Sequence, residues 1–161
     1  SSSYKLIFSE IYTALHIQKI KGSFIIKIFD MFNYNTIQLI YLLYCCYDNL
    51  TIHKPSTSRL SNSEKYIVCE GYNGCSEKIL QLMKSFYSQC EKFIINIPDS
   101  FLKEINLYNE EFTIKQIETI HNTILNIDNE RRNIPNEEQV KHAKDWCNYY
   151  NLPLNNNCIF L

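Results

Sequence analysis

Glycine is scarce in this chain, with three residues in 161, at positions 22, 71 and 74. No G-x-G-x-x-G run occurs, so no glycine-rich, phosphate-cradling loop of the dinucleotide-binding type is present in this stretch. The seven cysteines (45, 46, 69, 75, 90, 147 and 158) include no C-x-x-C pair. A zinc site normally needs closely spaced Cys or His pairs, so no metal site is expected. The odd count and irregular spacing also argue against a disulfide framework, and the cysteines read as reduced, mostly buried thiols of an intracellular or virion-associated protein. There is no excess of positive charge: 16 Lys and Arg stand against 17 Asp and Glu, a formal net charge of −1. Any nucleic-acid contact must therefore come from a local cluster of cations. No uninterrupted apolar run approaches the roughly 18 residues of a membrane-spanning helix. The nearest, from Ile37 to Tyr47, is far shorter. The opening Ser1-Ser2-Ser3-Tyr4 lacks the basic and apolar regions of a signal peptide and reads as the cut end of a longer chain or an added remnant.

What is present is a folding composition. Hydrophobic residues make up 45% and aromatics 14%, enough for a domain with its own core and unlike a disordered chain. Tyr4, Ile7, Phe8, Ile11 and Leu15 recur at helical spacing, predicting a helix over residues 4–19 that Gly22 ends. Phe24 to Phe29 is a short, β-branched, almost wholly apolar run, predicting a strand buried on both faces. Asn33 to Thr36 supplies turn and cap residues for a helix over 37–47. Short strands follow at 50–53 and 65–69, the last stopped by Gly71. Too few residues separate these two strands for a parallel crossover, so the third strand should run antiparallel to its neighbour.

Beyond Asn73, Ile79, Met83, Phe86, Tyr87 and Cys90 mark a helix, and Phe93 to Ile97 is an apolar run closed by Pro98. Thr113 and Gln116 have the pattern of a capping box, with helical Ile117, Ile120, Ile124 and Ile127 after it. Pro135 and Asn136 open a last helix carrying Val140, Ala143, Cys147 and Tyr150. His121 falls on the apolar face of its helix and reads as a partly buried structural histidine.

Three features bear on chemistry. Lys27 sits inside an apolar strand, where a lysine is costly unless it is paired or reaches the surface. Burial and neighbouring charge are also how lysines become bases, so a catalytic lysine and a lysine snorkelling from a sheet edge both fit. Glu64 enters the third strand from a polar loop, a position at which acids are usually only solvated. The loop itself, Lys54-Pro55-Ser56-Thr57-Ser58-Arg59-Leu60-Ser61-Asn62-Ser63, gathers two cations and several hydroxyls. That mixture suits phosphate and sugar contacts, and it equally suits an ordinary solvated loop.

Taken together, Gly22-Ser-Phe-Ile-Ile-Lys27-Ile-Phe-Asp30, Tyr41-Leu-Leu-Tyr44 and Lys54-Pro55-x-x-Ser58-Arg59-x-x-Asn62-Ser63-Glu64-Lys65-Tyr66-Ile-Val68 resemble the FtsJ-like RNA 2′-O-methyltransferases. The likeness covers residues 4–72 and is strongest to the cap-specific mRNA (nucleoside-2′-O-)-methyltransferases of eukaryotes and large DNA viruses. The helical stretch from Phe112 to Pro153 resembles the tail that follows the domain in those enzymes. The resemblance implies an α/β fold: the C-terminal half of a Rossmann-like methyltransferase sheet, its last three strands with the final one antiparallel, then a mostly helical tail. It implies segments at 1–74 (half of the methyltransferase domain), 75–154 (a helical extension packed on it) and 155–161 (a loose tail). The family uses a Lys-Asp-Lys-Glu tetrad, whose third and fourth members map onto Lys27 and Glu64. Lys54, Ser58, Arg59, Ser61 and Asn62, with Asp30 on the rim, map onto the RNA-facing side.

The first lysine and the aspartate of the tetrad, and the S-adenosylmethionine site, have no counterpart here. The expected partners are capped mRNA or another RNA, and the N-terminal half of the same protein, with no membrane. The expected place of action is the nucleus for a eukaryotic protein, and the cytoplasm or virion for that of a large DNA virus. A catalytically inactive RNA-binding or scaffold subunit, and an enzyme acting on rRNA or tRNA, are the alternatives.

Overall fold

In the computed structural model, the N-terminal apolar residues line one side of a helix, α1 (Ser2–Ile17), and Phe8, Ile11 and Leu15 are almost wholly buried. The structure describes residues 2–29, 31–55, 58–89, 93–125, 135 and 137–155. They fall into two compact units, Ser1–Lys54 with Ser63–Thr113, and Pro55–Asn62 with Ile114–Leu161.

In the first unit the chain turns at Lys21, whose φ is 65°, and enters β1 (Phe24–Ile28). After Asn33, whose side-chain oxygen accepts from the Asn35 amide at 2.9 Å, it forms α2 (Tyr34–Cys46). This is the N-cap expected at that point. The strands β2 (Tyr47–His53) and β3 (Lys65–Tyr72) complete a sheet of order β1-β3-β2. β3 is antiparallel to both neighbours, so β1 and β2 run in one direction with the last strand inserted in reverse between them. This is the partial α/β methyltransferase sheet that the motifs imply, with its final strand antiparallel.

β1 is buried on one face only, not on two. Ile26 and Ile28 are buried, while Ile25 is 62% exposed and Lys27 also faces outward. The reason is the period of two along a strand. α1 packs on β1, and α2 on β2 and β3, from the side that Ile26, Ile28, Ile67 and Cys69 share. Lys27, Tyr66, Ile25 and Val68 stand on the other side. β2 begins at Tyr47, directly at the end of α2, and β3 runs past Gly71 rather than stopping there. Gly71 has φ of +74°, and a Cβ there would stand 2.2 Å from Asp48 Oδ2. Only glycine fits this close approach. Beside it Lys21 Nζ donates to Asp48 Oδ2 at 2.9 Å and to Asn73 Oδ1 at 2.7 Å, and Asn73 Nδ2 donates to Asp48 Oδ1 at 2.7 Å. This network ties the start of β1 and β2 to the end of β3.

α3 (Glu77–Gln89) and the extended stretch 93–98 cover α1. Phe8 meets Phe86 and Phe93 with ring centroids 4.5 and 5.4 Å apart. The next helix, α4 (Asp99–Leu125), does not start at the Thr113–Gln116 pattern; it starts at Asp99 and passes through it. The Phe101 and Leu102 amides donate to the Pro98 carbonyl, opening the helix. Phe101, Leu102, Ile105, Tyr108 and Phe112 continue one apolar stripe through the first unit. Asn109, buried on this helix, donates to the Met31 carbonyl at 3.0 Å.

The second unit contains residues 114–125 of α4, the loop 58–62 and α5 (Glu137–Tyr149). Gln116 Nε2 donates to the Ser61 carbonyl at 3.0 Å, which is the work its side chain does in place of capping. α5 buries none of its residues, and His121 is exposed rather than partly buried. Ile127, Cys90, Cys158 and most of the segment 155–161 lie outside the described residues. The described cysteines are all free; Cys46 and Cys69 are buried, and burial pushes the Cys69 thiol up to about 12. Among the described residues no helix is long and apolar enough to cross a membrane.

Candidate functional site

The alternation of β1 that buries Ile26 and Ile28 turns Lys27 onto the uncovered face of the sheet, where its cross-strand partner is Tyr66. His53 is paired with the other side of Tyr66, so Lys27, Tyr66 and His53 form one row across the three strands. Glu64 immediately precedes β3, two residues before Tyr66 and so on the same side of the chain. Lys27 Nζ lies 4.0 Å from Glu64 Oε2, with the two side chains 49% and 23% exposed. The second carboxylate oxygen is engaged from the strand itself, as the Tyr66 hydroxyl donates to Glu64 Oε1 at 2.7 Å. That hydrogen bond holds the Tyr66 phenol above its ordinary pKa.

The backbone on which Glu64 sits is also fixed. Lys54 Nζ donates to the Glu64 carbonyl at 2.8 Å, and Lys65 Nζ to the Ser63 carbonyl at 3.1 Å. Both ammoniums lie against one ring: the Phe112 centroid is 3.9 Å from Lys65 Nζ and 5.6 Å from Lys54 Nζ. These distances are within cation–π range. Lys65 is 1% exposed, and burial holds the Lys54 ammonium below the usual lysine pKa although the Glu64 carboxylate acts in the opposite sense. Lys27 Nζ has an aromatic neighbour too, Phe29, at 5.4 Å.

The structure therefore brings together Lys27, Glu64 and Lys54 of the residues singled out in the sequence. Ser58, Arg59, Ser61 and Asn62 belong to the second unit. In that loop the Ser58 amide donates to the Pro55 carbonyl at 2.9 Å and the Asn62 amide to the Arg59 carbonyl at 3.3 Å. Arg59 is exposed, and Ser58, Ser61 and Asn62 are half-buried. Asp30 lies outside the described residues. Sequence reasoning missed Tyr66 and Phe112 as parts of the site. The i, i+2 spacing of Glu64 and Tyr66 on a strand was the available signal for the first; nothing local to the motifs pointed to Phe112.

The glycines do not form a cradle for a nucleoside cofactor. Gly22 and Gly71 are closely faced by Gln18 and Asp48, and Gly74 stands near Ile20. All three are at the end of the sheet remote from Lys27 and Glu64 by register. Among the described residues, no group of three His, Cys, Asp or Glu is placed to hold a metal ion.

The family model for FtsJ-like methyltransferases matches residues 1–72, and this segment of the chain belongs to that family. Among curated proteins, the cap-specific mRNA (nucleoside-2′-O-)-methyltransferase 2 of Pongo abelii is 39% identical over 127 residues, 74% of this chain and 16% of that protein. The cap-specific mRNA (nucleoside-2′-O-)-methyltransferase 1 of Homo sapiens is 45% identical over 69 residues, 43% of this chain and 8% of that protein. The inactive cap-specific mRNA (nucleoside-2′-O-)-methyltransferase 1B of Caenorhabditis briggsae is 29% identical over 131 residues, 71% of this chain and 16% of that protein. The chain thus spans less than a fifth of the length of each of these relatives.

Proposed function

We propose that this chain is the substrate-activating part of an S-adenosylmethionine-dependent RNA 2′-O-methyltransferase that acts on ribose next to the mRNA cap. The observation that carries the reading is the pairing of Lys27 with Glu64 on the uncovered face of a methyltransferase sheet. A ribose 2′-hydroxyl is a weak nucleophile that has to be oriented and relieved of its proton. Lys27, half-exposed at the surface, is the group that holds the hydroxyl oxygen, and Glu64 directs the lysine. Arg59 and Ser61 hold RNA phosphate, Lys54, Ser58 and Asn62 complete that loop, and Asp30 contributes to the rim. The methyl donor, the remaining lysine and the aspartate of the tetrad are assigned to the N-terminal half of the same protein.

The test is methyl transfer to capped RNA by the full-length protein. Lys27→Ala is expected to abolish transfer while leaving thermal unfolding within about 0.5 kcal/mol of the parent, as for a surface substitution. The 161 residues alone are expected to transfer nothing. Transfer that survives Lys27→Ala, or that the isolated segment performs, overturns the assignment. Equal rates on capped and uncapped RNA would move the substrate to rRNA or tRNA. A second reading, an inactive RNA-binding or scaffold subunit, is favoured by the inactive Caenorhabditis relative, which matches the chain over 71% of its length. A full-length protein that binds RNA without transferring methyl groups would establish it.

A further inference from the structure

We infer that Tyr66 is a positioning residue for the reaction, holding one oxygen of Glu64 so that the other is presented to Lys27. The inference rests on the proposed function and adds to it a residue outside the Lys-Asp-Lys-Glu set. A carboxylate on a strand-entry residue can rotate about its terminal torsion, which is broad and carries little preference of its own. Here that freedom is removed. The Tyr66 hydroxyl takes Oε1 at 2.7 Å, which leaves Oε2 on the side of Lys27 Nζ at 4.0 Å. Tyr66 is suited to this because it is in register with Lys27 on the neighbouring strand and follows Glu64 by two residues on its own, so both partners are on its face of the sheet. The Lys54 ammonium on the Glu64 carbonyl fixes the other end of the residue. The carboxylate is thus held at its backbone and at one oxygen, and the Lys27 ammonium is met by an acceptor of set direction.

The test uses the full-length protein with capped RNA and saturating methyl donor. Absence of transfer by the wild-type protein overturns the proposed function and this inference with it. With wild-type transfer present, Tyr66→Phe keeps the ring and its packing and removes only the donor. It is expected to lower kcat about tenfold, the size of a lost hydrogen bond to a charged group, with KM for RNA changed by less than about twofold. In a Glu64→Gln background the same substitution is expected to change the residual kcat by less than about twofold, because two groups acting through one contact are not additive. Carbon-13 NMR of the tyrosine rings supplies a readout independent of turnover. Tyr66 is expected to ionise above an ordinary phenol in the parent and to return toward it in Glu64→Gln. An undiminished kcat in Tyr66→Phe, equal losses in the two backgrounds, or an unmoved Tyr66 titration overturns the inference and leaves the proposed function standing.

Discussion

Phe112 sits beneath two lysine ammoniums that grip the backbone around Glu64, and replacing it by leucine should cost far more than a change of apolar shape. The ring is 8% exposed, so leucine keeps most of the apolar burial and removes the negative face of the ring. A swap between large apolar residues in a core usually costs less than about 1.5 kcal/mol. The cation–π part is additional. Lys65 Nζ, at 3.9 Å on a residue 1% exposed, falls in the desolvated regime of about 2 kcal/mol. Lys54 Nζ, at 5.6 Å and partly buried, is near the outer limit and adds about 0.5 kcal/mol. Phe112→Leu is therefore expected to destabilise the chain by about 2.5 kcal/mol from the two ring contacts, and by up to about 4 kcal/mol with the apolar swap included. Phe112→Ala, which adds a cavity, should reach about 5 kcal/mol.

Urea unfolding followed by circular dichroism measures both, read at constant m. A double-mutant cycle with Lys65→Met separates the ring's charge contact from its bulk, since methionine keeps the stem and drops the ammonium. The expected coupling is about 2 kcal/mol. A coupling below about 0.5 kcal/mol would refute the reasoning, because it would mean that Lys65 is stabilised by its other contacts and that the ring serves only as bulk.

Two further outcomes follow from the far end of the sheet. Gly71→Ala should cost about 1–3 kcal/mol by urea unfolding, because it forces a Cβ into positive φ and onto the Asp48 carboxylate. Gly74→Ala, with φ of +95° but no heavy atom nearer than 3.8 Å, should cost less, and equal costs would show that the Asp48 contact is immaterial. The Asp48 carboxyl is held below the usual carboxylate range, first by the hydrogen bond from Asn73 and then by that from Lys21. A depressed folded-state pKa gives stability that is present above the unfolded value of about 4 and is lost as pH falls through the folded value. The urea midpoint of the parent should therefore fall on acidification below about pH 4 more steeply than that of Asp48→Asn. Parallel curves would rule out this linkage.

The parts of the fold legible in the sequence are those set by period and by short motifs. The apolar stripe of α1, the Asn33 cap, the three strands and the antiparallel sense of β3 all depend on residues near one another in the chain, and they stand as expected. The burial of β1 on one face depended on which helices cover the sheet, and the run Phe24 to Phe29 carries no mark of that. The Thr113–Gln116 pattern was a false start signal, because the stripe from Phe101 to Phe112 already had the helix under way and Gln116 had a partner in the Ser61 carbonyl. The pair Lys27 and Glu64 was visible through its motifs. What holds the pair was not: Tyr66 acts through sheet register, and Lys54 acts on a backbone carbonyl, so neither role leaves a pattern in side-chain types. Phe112 enters from a helix remote in sequence.

The energetics of these contacts separate a scaffold from a site. Lys65, buried against Phe112 and bonded to the Ser63 carbonyl, contributes to holding the first unit together. Lys27 does not have that role. Its ammonium is half-exposed and 4.0 Å from its acid, the kind of pair that contributes about 0–1 kcal/mol and is screened by salt. A strand position that places a lysine on an uncovered sheet face, between exposed Ile25 and Phe29, gains little for folding that threonine or valine would not supply. Stability accounts for Lys65, Lys54 and Phe112, and gives the half-exposed Lys27 no structural reason of comparable size. The proposed function supplies that reason for Lys27: a cation held in a set direction by Glu64 for a substrate hydroxyl.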